Sequence, residues 1–240
     1  MLILFNTLTG KDKTTAVERL IRGSTPSQDF FFMIILSILT ATFGLFLNNT
    51  AIIIGSMLIA PMLYPLLSLS LGIIMSDFKL MSRSFYTIVK SVGFAGFAGA
   101  AATWLFSSQL PELPALIETM TQPSLPYVVV AIIAGFAGSF ALVKPQLNET
   151  LPGIAISVAL IPPLATVGIG LARFDWVIIS GSLLLFFVNA IGVTFASMIT
   201  FSLMNFYVKR DKATETIKKE DQKVKRDHEK AEKEKENSEA

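Results

Sequence analysis

The sequence predicts an all-α, multi-pass membrane protein in which six transmembrane helices form two inverted three-helix repeats with proline-broken second helices. Three observations lead there. Hydrophobic residues make up 52% of the 240, including 19 Phe, and the mean hydropathy is +0.60; a soluble fold would leave too much of that surface in water. Ionisable residues gather before Asp29 and after Tyr207, so a net charge of only +2 hides a segregated chain. Finally, the phrase NNTAIIIGSMLIAPMLYP from Asn48 returns as NETLPGIAISVALIPPLATVG from Asn148. Ser56 aligns with Ser157, Pro61 with Pro162, Leu63 with Leu164 and, after a gap of three residues, Gly72 with Gly170 and Asp77 with Asp175. Secondary transporters and related conduits are commonly built from such duplicated units and work at the repeat interface.

Residues 1–29 form a cytoplasmic lead-in. Between Lys11 and Arg22, the apolar residues Ala16, Val17, Leu20 and Ile21 recur at helical spacing beneath charged neighbours, which predicts a short helix at the membrane interface. Ser24, Thr25 and Ser27 with Pro26 supply capping and a break before the first span.

A hydrocarbon core about 30 Å thick needs roughly 20 apolar residues per helix. Six stretches meet or approach this: 30–47, 51–75, 84–106, 127–143, 151–172 and 176–204. Lipid offers no partner for backbone groups, so helices are required, and the alternation of a barrel strand is absent. Repeat one then covers 30–106 and repeat two 127–204, with an extracytoplasmic loop at 107–126 and a charged cytoplasmic tail at 205–240. Three spans is an odd number, so the second copy enters from the opposite side and the repeats are inverted.

Basic residues set the orientation. Lys11, Lys13, Arg19 and Arg22 precede the first span, Lys79 and Arg83 fall between spans two and three, Lys144 follows span four, and Lys209 and Arg210 open the tail. Six crossings put all of these on one side, opposite Arg173 and the acidic loop of Glu112 and Glu118. The reading is an inner (plasma) membrane protein with both termini cytoplasmic. The alternative is that 51–75 and 151–172 are re-entrant hairpins, which would move Lys79 and Arg83 outside.

Pro61 and Pro65 lie near the middle of span two, and Pro162 and Pro163 near the middle of span five. Proline removes a helical hydrogen bond and clashes with the preceding turn, so each span should kink or separate into half-helices. Ser56, Tyr64, Ser68, Ser157 and Thr166 are candidate partners for the freed backbone groups, or water or a solute is. The starts of the second halves would then bring free amides and positive dipole ends toward one midplane point. Lys90, about two turns into span three, is a second candidate for solute binding, against a snorkelling role at the headgroups. Asn189 in span six could bind solute or bridge helices. Gly93, Gly96, Gly99, Gly135 and Gly138 read as close-packing positions.

The tail alternates Lys and Glu with little apolar content, which predicts a charged, solvated helix rather than a core of its own; a weak coiled coil through Ile217, Val224 and Ala231 is the alternative, and His228 reads as solvated. With no cysteine, no phosphate-binding loop and no carboxylate cluster in the spans, neither an enzyme nor a cofactor is expected. The expected partners are membrane lipid, a small-molecule or ion solute and further copies of the chain in a homo-oligomer, with no nucleic acid.

The string IIIGSMLIAPMLYPLLSLSLGIIMSD at 52–77, with ISVALIPPLATVGIGLA in the second half, resembles a prokaryotic membrane family known only as domain of unknown function 389. The likeness runs over roughly residues 29–204. It implies a membrane assignment and no substrate. The leading functional expectation is therefore a transporter or channel for a small polar or anionic solute at the Pro61 and Pro162 breaks. The competing expectation is a non-catalytic oligomeric scaffold whose charged tail recruits a partner.

Overall fold

The computed structural model describes residues 9–106, 114–144, 147, 160–206 and 210–239, with side chains at 212–227 in the last segment. Among these residues all regular structure is helical.

The lead-in is α1, Gly10–Gly23, opened by a capping box between Thr9 and Asp12. Its apolar stripe is the expected one: Ala16 is 1% exposed, and Val17, Leu20 and Ile21 are fully covered. What covers them differs from the expectation. The stripe packs on protein, against the helices at 63–75, 125–143 and 210–239, where each Leu or Ile contributes about 1.5–3 kcal/mol of burial.

Among the described residues four helices are long and apolar enough to cross a membrane: α2, Gln28–Phe46; α5, Phe78–Phe106; α7, Leu125–Val143; and α9, Trp176–Leu203. Between α2 and α5 lie α3, Thr50–Ile59, and α4, Leu63–Met75, bent by 51° at their junction. The short α6, Ala115–Thr119, precedes α7, and α8, Ile161–Arg173, precedes α9. The tail is α10, Arg210–Glu239.

This overturns the expectation of six spans in two three-helix repeats. Among the described residues four helices have the length and composition to cross, or five if α3 and α4 count as one bent span. The reason lies in the second unit. Of the expected span at 151–172, residues 151–159 lie outside the described set, and the described remainder is a helix of 13 residues. That described helix is about 20 Å long, shorter on its own than a core of about 30 Å.

The re-entrant alternative for 51–75 also fails. Lys79 and Arg83, at the start of α5, both pair with Asp221 of α10, while Arg22 at the end of α1 pairs with Glu220. The α4–α5 turn therefore sits at the same end of the bundle as α1 and α10, so α3 and α4 carry the chain back across after α2.

Three tight corners share one construction. Asn48, Ser76 and Phe174 adopt the left-handed conformation, at φ 50°, 51° and 55°. The next residue in each case, Asn49, Asp77 or Asp175, donates its amide to a glycine carbonyl five residues back: Gly44 at 2.9 Å, Gly72 at 3.0 Å and Gly170 at 3.0 Å. The same Asn or Asp side chain then caps the following helix. The glycines let that helix fold back closely, since a Cβ on Gly72 would meet the Met81 amide nitrogen at 3.0 Å and one on Gly170 the Ile179 nitrogen at 3.0 Å. The sequence repeat contained the second and third corners; the first is an additional copy.

The core is centred on α8, whose residues from Ile161 to Gly170 are all buried. It packs on α2, α3, α5 and α9. Its crossing with α5 is glycine on glycine: a Cβ at Gly168 would lie 2.6 Å from the Gly99 Cα and 2.9 Å from the Ala100 nitrogen. Gly168→Val should therefore destabilise the bundle by about 1–3 kcal/mol through overpacking against backbone, read as a lower melting temperature in detergent. Gly93→Ala, where a Cβ meets nothing within 4 Å, should leave melting unchanged or raise it by up to about 1 kcal/mol of helix propensity.

Candidate functional site

Pro61 breaks the helix where its chemistry requires. Ala60, ahead of the ring, is extended at ψ 126°, as a residue before proline prefers, and Pro61 has no N–H to offer the Met57 carbonyl. One residue earlier the loss is offset from outside the helix, since the Ser37 hydroxyl on α2 donates to the Ser56 carbonyl at 2.7 Å. The Ser56 hydroxyl donates to the Ile53 carbonyl at 2.6 Å. Ser37 was not singled out in the sequence. The signal was there, a hydroxyl in the middle of an otherwise apolar run, but nothing local said which helix it would face.

Pro65 sits in the first turn of α4, and Pro162 and Pro163 in the first turn of α8. These positions tolerate proline because the missing N–H would have had no helical acceptor. The prolines of the second unit therefore lie in the opening turn of α8, and residues 151–159 ahead of it lie outside the described residues.

Among the described residues α4, α6, α7 and α8 start without a side-chain cap, and of these the starts of α4 and α8 are the buried ones. Helices α1, α2, α3 and α9 begin with side-chain caps from Thr9, Ser27, Asn49 and Asp175. Helices α4 and α8 begin at Met62 and Leu160 with no side-chain cap. Both starts are interior, with Met62 1%, Leu63 6%, Leu160 4% and Ile161 2% exposed. Two positive helix ends thus open into apolar surroundings.

The remaining expected residues fall in several places. Tyr64 and Ser68 share a face of α4 turned toward the end of α1: the Ser24 hydroxyl is 3.0 Å from that of Ser68, and a Cβ on Gly23 would meet the Tyr64 ring at 2.6 Å. The Thr87 hydroxyl of α5 donates to the Ser24 carbonyl at 3.2 Å. Ser24, read from the sequence as a cap, is thus the hub joining α1, α4 and α5. Thr166 is fully buried and donates to the Pro162 carbonyl at 2.9 Å. Asn189 is 1% exposed on α9, the helix that packs on both α4 and α8. Lys90 stands apart, exposed on the outer face of α5. Ser157 lies outside the described residues. Three grooves lined by both apolar and charged residues open on the surface, and none of these three reaches Ser56, Ser68 or Thr166.

The end of the bundle carrying α1 is closed by α10. The tail is not the solvated helix expected, because Ala213 and Ile217 are fully covered against α1 and α5. Asp221 meets Lys79 at 2.7 Å and Arg83 at 2.9 Å, Glu220 meets Arg22 at 3.4 Å, and Lys212 meets Glu18 at 3.5 Å. Arg83 also donates to Thr25 at 2.8 Å, and the Thr214 hydroxyl donates to Asp77 at 3.2 Å. Hydrogen bonding by Lys219 and then Lys212 holds the Glu215 carboxyl below its ordinary range, and Glu215 raises Lys212 in turn. Among the described residues no cluster of His, Cys, Asp or Glu could hold a metal.

Residues 57–195, more than half of the chain, match the family model described as Domain of unknown function (DUF389). The chain is 30% identical to an "Uncharacterized protein MJ0678" of Methanocaldococcus jannaschii over 176 residues, 73% of this chain and 54% of that protein. It thus spans about half the length of the curated relative it matches. No solved structure matches the chain.

Asp221→Ala should loosen α10. Removing the shared acceptor of Lys79 and Arg83 is expected to speed amide hydrogen exchange over residues 212–227 by about fivefold, the upper range for a partly exposed pair. High salt should reproduce the effect in the unaltered protein.

Proposed function

We propose, for a chain that belongs to the family described as Domain of unknown function (DUF389) and is built of membrane-crossing helices, the role of a transporter or channel for a small polar or anionic solute. The pathway runs by the uncapped starts of α4 and α8. The observation that carries this reading is the pair of buried, uncapped helix N-termini, at Met62 and Leu160, in a chain that caps α1, α2, α3 and α9 with side chains. A positive helix end in a low-dielectric interior favours an anion or the carboxylate end of a zwitterion. Ser56, Tyr64, Ser68 and Thr166 are polar side chains close to those breaks along their helices, Asn189 lies on α9, which packs on both α4 and α8, and each can exchange an internal partner for a solute.

In this reading α1 is the seal. Ser24 and Gly23 occupy the Ser68 and Tyr64 face of α4, and α10 holds α1 in place through Glu220 and Lys212. The basic residues of that end, Arg22, Lys79 and Arg83, support a cytoplasmic placement of it in an inner-membrane protein. A tail engaged with its own bundle favours intramolecular closure over recruitment of a separate partner.

The test is flux through liposomes containing the purified chain, with chloride, phosphate and amino acids as probes. At least one should cross faster than in protein-free vesicles. Thr166→Val should slow that solute by about tenfold, equivalent to ~1.4 kcal/mol, while Ser24→Ala, which weakens the seal, should speed it. Background flux for every probe in the unaltered chain and in Ser24→Ala would remove the permeation reading.

A further inference from the structure

We propose that the outer groove between α2 and α5 is a headgroup site for a zwitterionic phospholipid whose phosphate is joined by a two-carbon spacer to a primary ammonium, phosphatidylethanolamine, with the phosphate on Lys90 and the ammonium on Asp29. The groove is about 580 Å³ and is lined by Asp29, Phe31, Phe32, Ile35, Lys90 and Phe94, among others. It lies outside the helix breaks, so the site stands whether or not a solute passes there.

The level of the groove in the bilayer follows from α2. Its 19 residues make about 28 Å of helix, close to the thickness of the hydrocarbon, so Gln28 and Asp29 mark the headgroup boundary. Lys90 lines the same groove as Ser27 and Asp29 and therefore belongs to that boundary, although it lies 12 residues beyond the first residue of α5.

The charges are arranged for a dipolar guest. The Lys90 ammonium rests 4.6 Å from the centre of the Phe31 ring, 5.6 Å from Tyr86 and 5.8 Å from Phe94. Ring faces attract the cation but accept its N–H bonds poorly beside an anionic oxygen. Among the described residues no carboxylate comes within ion-pair distance of Lys90, and no cation within that distance of Asp29. Asp29 also lines a neighbouring groove of about 230 Å³ with Asp227 of α10. One continuous surface thus presents a lysine at one end and two carboxylates at the other. A purely anionic headgroup would meet the lysine and be repelled by Asp29 and Asp227. A trimethylated ammonium would reach the carboxylates with no N–H to donate. A primary ammonium satisfies both ends. Phe32, 60% exposed, with Ile35 and Phe94, continues the groove as an apolar wall for the acyl chains.

The test uses the full chain in nanodiscs of equal parts phosphatidylethanolamine, phosphatidylcholine and phosphatidylglycerol, with the lipids retained after extraction read by native mass spectrometry. Phosphatidylethanolamine should be retained over the other two by on the order of fivefold, the weight of one lysine or carboxylate contact near the surface. Lys90→Gln should lower retention of all three. Asp29→Asn should erase the preference over phosphatidylcholine without lowering phosphatidylglycerol. Both side chains are exposed, so the variants should keep the helix content and elution of the unaltered chain. No headgroup preference in the unaltered chain, a preference for phosphatidylglycerol, or a preference that survives both substitutions would overturn the site.

Discussion

Inside a bilayer an amide or a carbonyl has no water to turn to, and this chain is organised round the places where its helical hydrogen bonding stops. At Pro61 the loss is met from a neighbouring helix, by the Ser37 hydroxyl on the Ser56 carbonyl. At Pro162 and Pro163 it is reduced at source, because residues without an N–H occupy positions where that N–H would have no acceptor. Most other hydroxyls are turned back onto their own helices, as with Ser91, Thr103 and Ser182. The Pro61 break is one of the places where a hydroxyl reaches between helices instead, as Ser70 does to the Thr194 carbonyl and Ser197 to that of Gly135.

Tolerating two interior helix starts requires a bundle that does not move apart around them. Backbone contact between α5 and α8 at Gly99 and Gly168 supplies part of this, and the glycine corners at Gly44, Gly72 and Gly170 supply the rest by binding each helix closely to its successor. The outer layer is electrostatic. A few ion pairs, most of them partly exposed, hold α10 over α1 and the start of α5, so closure of that end depends on charges that salt can screen while the interior does not.

Much of this was legible in the residues. Embedding in lipid follows from composition, and the apolar stripe of α1 was read residue for residue. The break at Pro61 and the Asp77 and Asp175 corners were marked by residues whose local chemistry leaves little choice. In the second unit the sequence left open whether Pro162 and Pro163 kink a helix or open a half-helix, because the residues look alike in either case. The tail was misread for a related reason: Ala213 and Ile217 are too few to announce a buried face, and they are buried by α1 and α5 rather than by one another.

What the sequence determined by itself are the properties set within a turn or two of chain: helix rather than strand, where hydrogen bonding must stop, and which residues cap and turn. Tertiary structure alone decided that Ser24 meets Ser68, that Ser37 serves the Pro61 break, that α8 is buried from Ile161 to Gly170, and that Lys90 faces outward to the groove beside Asp29. Those pairings join residues far apart in the chain, and they depend on how closely glycine lets two helices approach, a distance that no local pattern encodes.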